Sequence, residues 1–227
     1  MTRPVPLSGG RQTSNIVRDG DTVRRPRPVR ADAIVLLLRE LRDAGFSGAP
    51  GVVDPDDAGE LVLEWIPGRA IVTSPFLLEE VQARSAARLV RAFHDASTRT
   101  TMGRGAEVVA HGDLGPHNMV FRGDDAVAII DWDDGVGPGT RAADFADAVW
   151  SCADIIDDLV PVERQRRLLD AMCEEYVLVP PARVLDELDA QFQRAFEKHT
   201  AAGRAEPARI FAGMREQLAD TRPLLLG

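Results

Sequence analysis

His111-Gly112-Asp113-Leu114-Gly115-Pro116-His117-Asn118, followed by Ile129-Ile130-Asp131-Trp132-Asp133, is the stretch whose reading decides the fold. Asn118 stands five positions after Asp113, and Asp131 thirteen after Asn118. Between them lie Met119-Val120-Phe121, the turn-like Arg122-Gly123-Asp124-Asp125, and Ala126-Val127-Ala128-Ile129-Ile130. Two apolar runs around a Gly/Asp cluster predict a β-hairpin. A hairpin brings its ends together, so Asn118 and Asp131 are expected side by side with Asp113 close by. Oxygen ligands of this kind suit Mg²⁺, a hard cation usually held by one or two carboxylates plus substrate phosphates. A lone Asp-to-Asn pair in a loop is usually a turn device. Here acidic or amide groups fall at both ends of one hairpin, with His111 alongside. A rival chemistry is a metal hydrolase using His111, Asp113 and His117, a set that zinc accepts. It lacks a convincing third histidine, since His94 lies in an apolar helical run and His199 is near the carboxyl end.

The layout resembles the catalytic half of the kinase fold, where an H-R-D-L-x-x-x-N loop precedes a metal-binding aspartate. In its H-G-D-L-x-x-x-N and I-D-W forms the chain resembles the aminoglycoside phosphotransferase-like family of small-molecule kinases, most sharply from about Ala110 to Ala146. The resemblance implies an α+β, two-lobed protein kinase-like fold. A small amino-terminal β-sheet lobe with one helix (residues 1–67) would bind nucleotide. A larger, mostly helical lobe (residues 68–227) would carry catalysis and the acceptor. Asp113 would be the catalytic aspartate, orienting and deprotonating an acceptor hydroxyl. Asn118 and Asp131 would hold Mg²⁺ bridging the phosphates of ATP, with GTP as another possible donor. Ser8-Gly9-Gly10 would cover the phosphates, although a glycine pair near a terminus also reads as plain flexibility. Glu64-Trp65-Ile66 would offer backbone hydrogen bonds to a purine; Trp65 reads equally well as a packing residue. Asp144 would brace the catalytic loop through backbone hydrogen bonds, or simply cap its own helix. Asp133 and Asp134 would extend the metal shell, receive a cationic acceptor, or stand as solvated loop acids.

One departure concerns the phosphate clamp. Protein kinases hold the α- and β-phosphates with a strand lysine paired to a helix glutamate. The sole lysine here is Lys198. Arg24 or Arg25, in Thr22-Val23-Arg24-Arg25-Pro26, is the expected substitute, and arginine grips phosphate with a planar fork. Alternation with Val23 favours Arg25, whereas an apolar-then-Arg pattern favours Arg24. The partner glutamate is missing from the early part of the next helix; Glu40 falls a turn or more too late.

Composition agrees with a compact enzyme. The 227 residues are 44% hydrophobic, enough for one two-lobed unit with a sizeable core. The amino terminus lacks a secretory pattern, and the apolar run Ile34–Leu38 is far too short to span a membrane. Cys152 and Cys173 read as small core residues of a reducing cytoplasm. Net charge is −9, but residues 1–30 carry seven arginines against two aspartates while residues 131–190 carry fifteen acids against five arginines. The first segment could meet polyphosphate and the second attract a cation. Net acidity and the lack of interleaved basic and aromatic residues argue against a nucleic-acid partner. The expected partner is a small-molecule acceptor, which could be cationic, although each acid of the second half reads more simply as part of a solvated surface.

Elsewhere the pattern predicts a hairpin around Asp19-Gly20-Asp21, and a helix from Ala31 to Gly45 with Ala33, Leu37 and Leu41 on its apolar face. Strands are expected at 51–54 and 60–66, and a long helix from about Pro75 to Ala96. Later helices should be separated by Pro161, Pro180-Pro181 and Pro207.

Overall fold

Alternating side chains in Thr22–Pro26 (β3) and Glu60–Glu64 (β5) make the centre of an antiparallel sheet. The computed structural model describes residues 4–7, 16–53, 59–133 and 135–227, so Ser8, Gly9, Gly10 and Asp134 lie outside the described residues. Val5–Pro6 (β1), Val17–Asp19 (β2) and Val52–Val53 (β4) complete five strands in the order β1-β2-β3-β5-β4. Asp19 pairs with Thr22 across a two-residue turn, where Gly20 supplies the positive φ of 60° that this turn requires.

Ala31–Asp43 (α1) packs with Ala31, Ile34, Leu37, Leu38 and Leu41 buried. Ala33, expected on that face, is exposed: the i, i+3, i+4 stripe runs through Ile34 and Leu38 instead. Gly45 ends the helix at φ 90°.

The second helix, Glu80–Ser97 (α2), starts about five residues later than expected. The amides of Phe76 and Leu77 are given to the Asp154 carboxylate, at 2.7 and 2.9 Å, and so cannot enter a helical turn. A capping box between Glu79 and Gln82 then starts α2. Val108–Ala110 (β6) leads into the 111–118 loop, which ends in a single 3₁₀ turn, Pro116–Asn118. The expected hairpin comes next as Met119–Arg122 (β7) and Asp125–Ile129 (β8). Gly137–Gly139 (β9) returns antiparallel to β6.

Four helices complete the chain: Arg141–Cys152 (α3), Val162–Tyr176 (α4), Pro181–Ala201 (α5) and Ala205–Leu226 (α6). Pro161 and Pro180 cap helices as expected. Pro207 separates nothing. It sits in the first turn of α6, where its missing N–H has no helical partner to lose, and the break falls at Gly203 with φ 68°.

The core is continuous from α1 through α2 to α3, α4 and α5. Trp132, Tyr176, Phe93, Phe121 and Phe145 are its largest fully buried side chains, each contributing about 1.5–3 kcal/mol by burial. Cys152 and Cys173 are buried free thiols, and burial pushes the Cys173 thiol up to about 12, so both behave as apolar packing groups. Among the described residues, no helix is long and apolar enough to cross a membrane.

Candidate active site

The loop from β6 to the 3₁₀ turn is held from below by one carboxylate. Asp144, in the first turn of α3, accepts the amides of His111 (3.0 Å) and Gly112 (2.8 Å). The same carboxylate meets His94 Nε2 at 2.9 Å, and His94 Nδ1 meets the Tyr176 hydroxyl at 2.6 Å. Burial works to raise the Asp144 carboxyl, but His94 and the two amides outweigh it and hold the group below the usual aspartate range. Capping of α3 falls to Thr140, whose hydroxyl accepts the Ala143 amide. Of the two expected roles for Asp144, bracing is the one the geometry displays. The sequence placed His94 only in an apolar helical run, a lone imidazole on the buried stripe of a helix, and gave no sign of this role.

Gly112 must be glycine. Its φ is 80°, and a Cβ there would stand 2.6 Å from the Gly135 carbonyl oxygen. That close approach ties the 111–118 loop to the loop following Asp131. His111 is buried, with Nε2 3.0 Å from the Ile130 carbonyl, and its ring lies edge-on to Trp132. Burial depresses its pKa, which keeps the ring neutral. An Nε2 proton given to a carbonyl leaves no lone pair there for a metal. Among the described residues no three His, Cys, Asp or Glu side chains gather as a metal group, so the zinc-hydrolase set is not assembled.

Asp113 projects outward, its side chain 69% exposed. Oδ2 accepts Asn118 Nδ2 at 2.9 Å, and Oδ1 faces His117 Nε2 at 3.3 Å. The His117 hydrogen bond holds the carboxyl below the usual range, against a smaller opposing effect of burial. Asn118 Nδ2 also donates to the Asp113 carbonyl, so its Oδ1 is the atom left to face outward. The Asn118 carbonyl accepts the Ile130 amide at 2.8 Å, which places Asp131 directly beside the hairpin's other end. Asp131 adopts a left-handed φ of 64°, a strained conformation of the sort that clusters at functional sites. Buried Trp132 anchors the chain just past Asp131, donating Nε1–H to the Ile129 carbonyl and lying edge-on to Phe93.

The sheet reaches this site through Arg25. Its guanidinium lies 2.8 Å from Asp131 Oδ1 and 3.4 Å from Asp133 Oδ2, and the residue is 5% exposed. Arg24 faces the other way, ion-paired to Asp19 and Glu60 at the surface. Glu40 accepts the amide and hydroxyl of Thr101, so it is no partner for either arginine.

The linker residues are brought near the lobe junction, with different availability. The Glu64 amide goes to the Gly51 carbonyl and its carboxylate to Arg42 at 2.6 Å. The Trp65 amide goes to Asp21, and its ring carries the Arg18 guanidinium at 4.4 Å. Among the described residues the Ile66 amide has no hydrogen-bond partner.

One acid that sequence reading passed over is Asp147, one turn beyond Asp144 on α3. Burial pushes its carboxyl up to about 7, with the charges of Asp144 and Asp113 adding to the effect. A carboxyl whose folded pKa is raised binds a proton that the unfolded chain releases. Stability is therefore lost as pH rises from the unfolded value of 3.8 through about 7. Asp147→Asn is expected to raise the melting temperature at pH 8 by roughly 2–4 °C, the equivalent of about 1 kcal/mol for a chain of this size. The gain should vanish below pH 4; a gain of equal size at both pH values would mean that charge is not its cause.

Comparison with known proteins agrees with this geometry. Residues 97–176 match the family described as Phosphotransferase enzyme family. The chain is 30% identical over 174 residues to a trifolitoxin immunity protein of Rhizobium leguminosarum bv. trifolii, a match covering 70% of this chain and 65% of that protein. The chain thus spans a little under two thirds of that relative's length. In fold it is similar to a choline/ethanolamine kinase family protein from Mesorhizobium loti (TM-score 0.56, 18% identity, 99% of this chain and 88% of that one). It is also similar to a macrolide 2'-phosphotransferase from Brachybacterium faecium (0.57, 16%, 95% and 91%) and to aminoglycoside 2'-phosphotransferase-IIIa in its GDP complex (0.59, 12%, 98% and 93%). The family match falls on the 111–118 loop and the hairpin, and the similarity to kinase-like folds extends along the chain.

Proposed function

We propose that this protein moves the γ-phosphoryl group of a nucleoside triphosphate, ATP in the first instance, to a hydroxyl of a small molecule. The observation that carries the reading is the outward-facing Asp113 carboxylate, hydrogen-bonded to Asn118 and one hairpin away from Asp131 and Arg25. Asp113 aligns the acceptor hydroxyl and accepts its proton late. Asn118 Oδ1 and the Asp131 carboxylate would hold Mg²⁺; both are hard oxygen donors, and a cationic guanidinium already sits on Asp131. When bound, the ion would neutralise charge on the phosphates. Arg25 would grip the phosphates from the sheet side, and the Ile66 amide, without a partner among the described residues, would meet the purine. Chemistry of this kind rests on positioning and electrostatic stabilisation.

The acceptor is proposed to be a small alcohol, with a cationic one favoured by the acidic second half of the chain. Similarity to an immunity protein fits an acceptor that is toxic until phosphorylated. GTP is the second donor to test, because similar structures hold GDP. A nucleotide-dependent role with two buried free thiols fits the cytoplasm. The test is phosphotransfer from ATP and GTP, with Mg²⁺, to a panel of amino sugars, amino alcohols and macrolides. Turnover on none of them would sink the reading.

A second reading, a nucleotide-binding pseudokinase serving as sensor or interaction module, is favoured by one observation. Arg25 spends its charge on the proposed metal aspartate and not on a helix glutamate. Nucleotide binding without any transfer would select it.

Metal binding gives a direct prediction. Asn118→Ala and Asp131→Ala are each expected to lower Mg-dependent ATP affinity by roughly tenfold, and the double variant by little more than the worse single one, because both remove oxygens from one shared ion. Calorimetric titrations with and without Mg²⁺ read this out. Additive losses would place the two residues in separate sites.

A further inference from the structure

The 111–118 loop contains a histidine, a glycine and an aspartate whose arrangement the phosphotransfer reading leaves unused. His117 Nε2 approaches Asp113 Oδ1 at 3.3 Å. As a surface i, i+4 pair it would be worth little. Two independent observations indicate more. The His117 ring is stacked on Phe76, with centroids 5.8 Å apart and planes 23° from parallel. Phe76 is itself fixed, since its amide and that of Leu77 are both held by Asp154. The imidazole is therefore supported on one face by a residue from a distant segment.

The second observation is Gly115. Its φ of −174° is ordinary extended backbone, so conformation gives no reason for glycine. Space does. A Cβ at this position would lie 2.6 Å from His117 Cε1, 2.7 Å from its Nδ1 and 3.0 Å from Ser151 Cβ on α3. A methyl group here would therefore press on the imidazole from one side while Ser151 walls the other.

We propose that His117 is a positioning residue that holds the Asp113 carboxylate in one rotamer for the acceptor hydroxyl, and that Gly115 is glycine in order to admit the imidazole. The inference rests on the phosphotransfer reading for its consequence, but its geometry can be tested separately. Asp113 Oδ2 is fixed by Asn118 and Oδ1 by His117, which leaves each oxygen further lone pairs for a hydroxyl. Without His117 an exposed carboxylate hinges on the Asn118 contact alone, and small misplacement of a reacting group is costly in rate.

The experiment uses the full chain and the variants His117→Ala, His117→Gln, Gly115→Ala and the double His117→Ala/Gly115→Ala. Imidazole nitrogen resonances at fixed pH are expected to show His117 protonated at Nε2, and to change in both Asp113→Asn and Gly115→Ala. Turnover is measured from Mg-ATP to whichever of choline, ethanolamine, kanamycin and a macrolide is phosphorylated. His117→Ala and Gly115→Ala should each lower kcat by roughly tenfold to a hundredfold with KM for ATP unchanged. The double variant should be no worse than His117→Ala, and His117→Gln, which keeps a donor, should recover most of kcat. His117 resonances that ignore both substitutions would overturn the proposal. So would wild-type kcat in folded His117→Ala, or additive losses in the double variant. If no acceptor is phosphorylated while the resonances respond as expected, the phosphotransfer reading fails and the His117–Gly115–Asp113 contact stands.

Discussion

Asp113→Asn is expected to keep the fold and the affinity for Mg-ATP while lowering phosphotransfer by at least about 10²-fold, the scale of a lost orienting and proton-accepting group. The substitution is nearly isosteric, and the asparagine carbonyl can still accept the Asn118 amide that Oδ2 accepts now. The negative charge and one acceptor face toward the substrate hydroxyl disappear. The His117 bond keeps the carboxylate ionised well into mildly acidic solution, so activity at neutral pH is not limited by protonation of this group. Its charge is available above the ordinary aspartate range and is lost only as pH falls through the depressed value. Circular dichroism and ATP calorimetry should match wild type, with kcat alone reduced. Unchanged turnover in a folded Asp113→Asn variant would remove Asp113 from the chemistry.

Much of this site was legible because it is local. Asp113, Asn118 and Asp131 are joined by a hairpin whose two strands and turn are spelled out between residues 119 and 129, and the structure closes it with the Ile130 amide on the Asn118 carbonyl. The parts that could not be read depend on residues far apart in the chain. His94 looked like one more position in an apolar helix; its meaning comes from Tyr176, 82 residues away, and Asp144, 50 away. Asp154 was one acid among many until it met the amides of Phe76 and Leu77, and the same contact moved the start of α2. Ala33 was misplaced on α1 for a different reason. In a helix this rich in leucine and isoleucine several stripes satisfy the period, and only the partner surface chooses among them.

The 111–118 loop therefore rests on an unbroken chain of contacts from the core outward. Tyr176 meets His94, His94 meets Asp144, and Asp144 holds the His111 and Gly112 amides immediately before Asp113. Tyr176, His94, Asp144 and His111 are buried, whereas the Asp113 side chain faces solvent, where the proposed reaction needs it. Such low-dielectric networks fix geometry when every member is satisfied. On the sheet side, the register of β3 brings Arg25 to Asp131 and Asp133, and the proposed phosphate grip rests on that arginine.

Arg25→Ala is expected to weaken ATP binding by roughly tenfold to a hundredfold while leaving adenosine affinity nearly unchanged, because charge-assisted contacts of this kind are worth about 1.5–3 kcal/mol. Arg24→Ala should leave ATP affinity as in wild type. The two residues are neighbours on β3, and successive strand positions face opposite sides, so only one can look into the cleft. Their ion pairs settle which: Arg25 is turned inward to Asp131 and Asp133, and Arg24 outward to Asp19 and Glu60. Removing Arg25 also strips a cation from Asp131, which should make the carboxylate a better ligand for Mg²⁺. The titrations must therefore be run with and without the metal, and the loss of affinity should be larger without it. Arg25→Lys should restore only part of the loss, since a point charge replaces a planar fork. Equal effects of Arg24→Ala and Arg25→Ala would mean that general positive potential, and not a grip from this strand, attracts the nucleotide. No effect of either would leave the Arg25–Asp131 pair as an inter-lobe tie and turn the balance toward the binding-module reading.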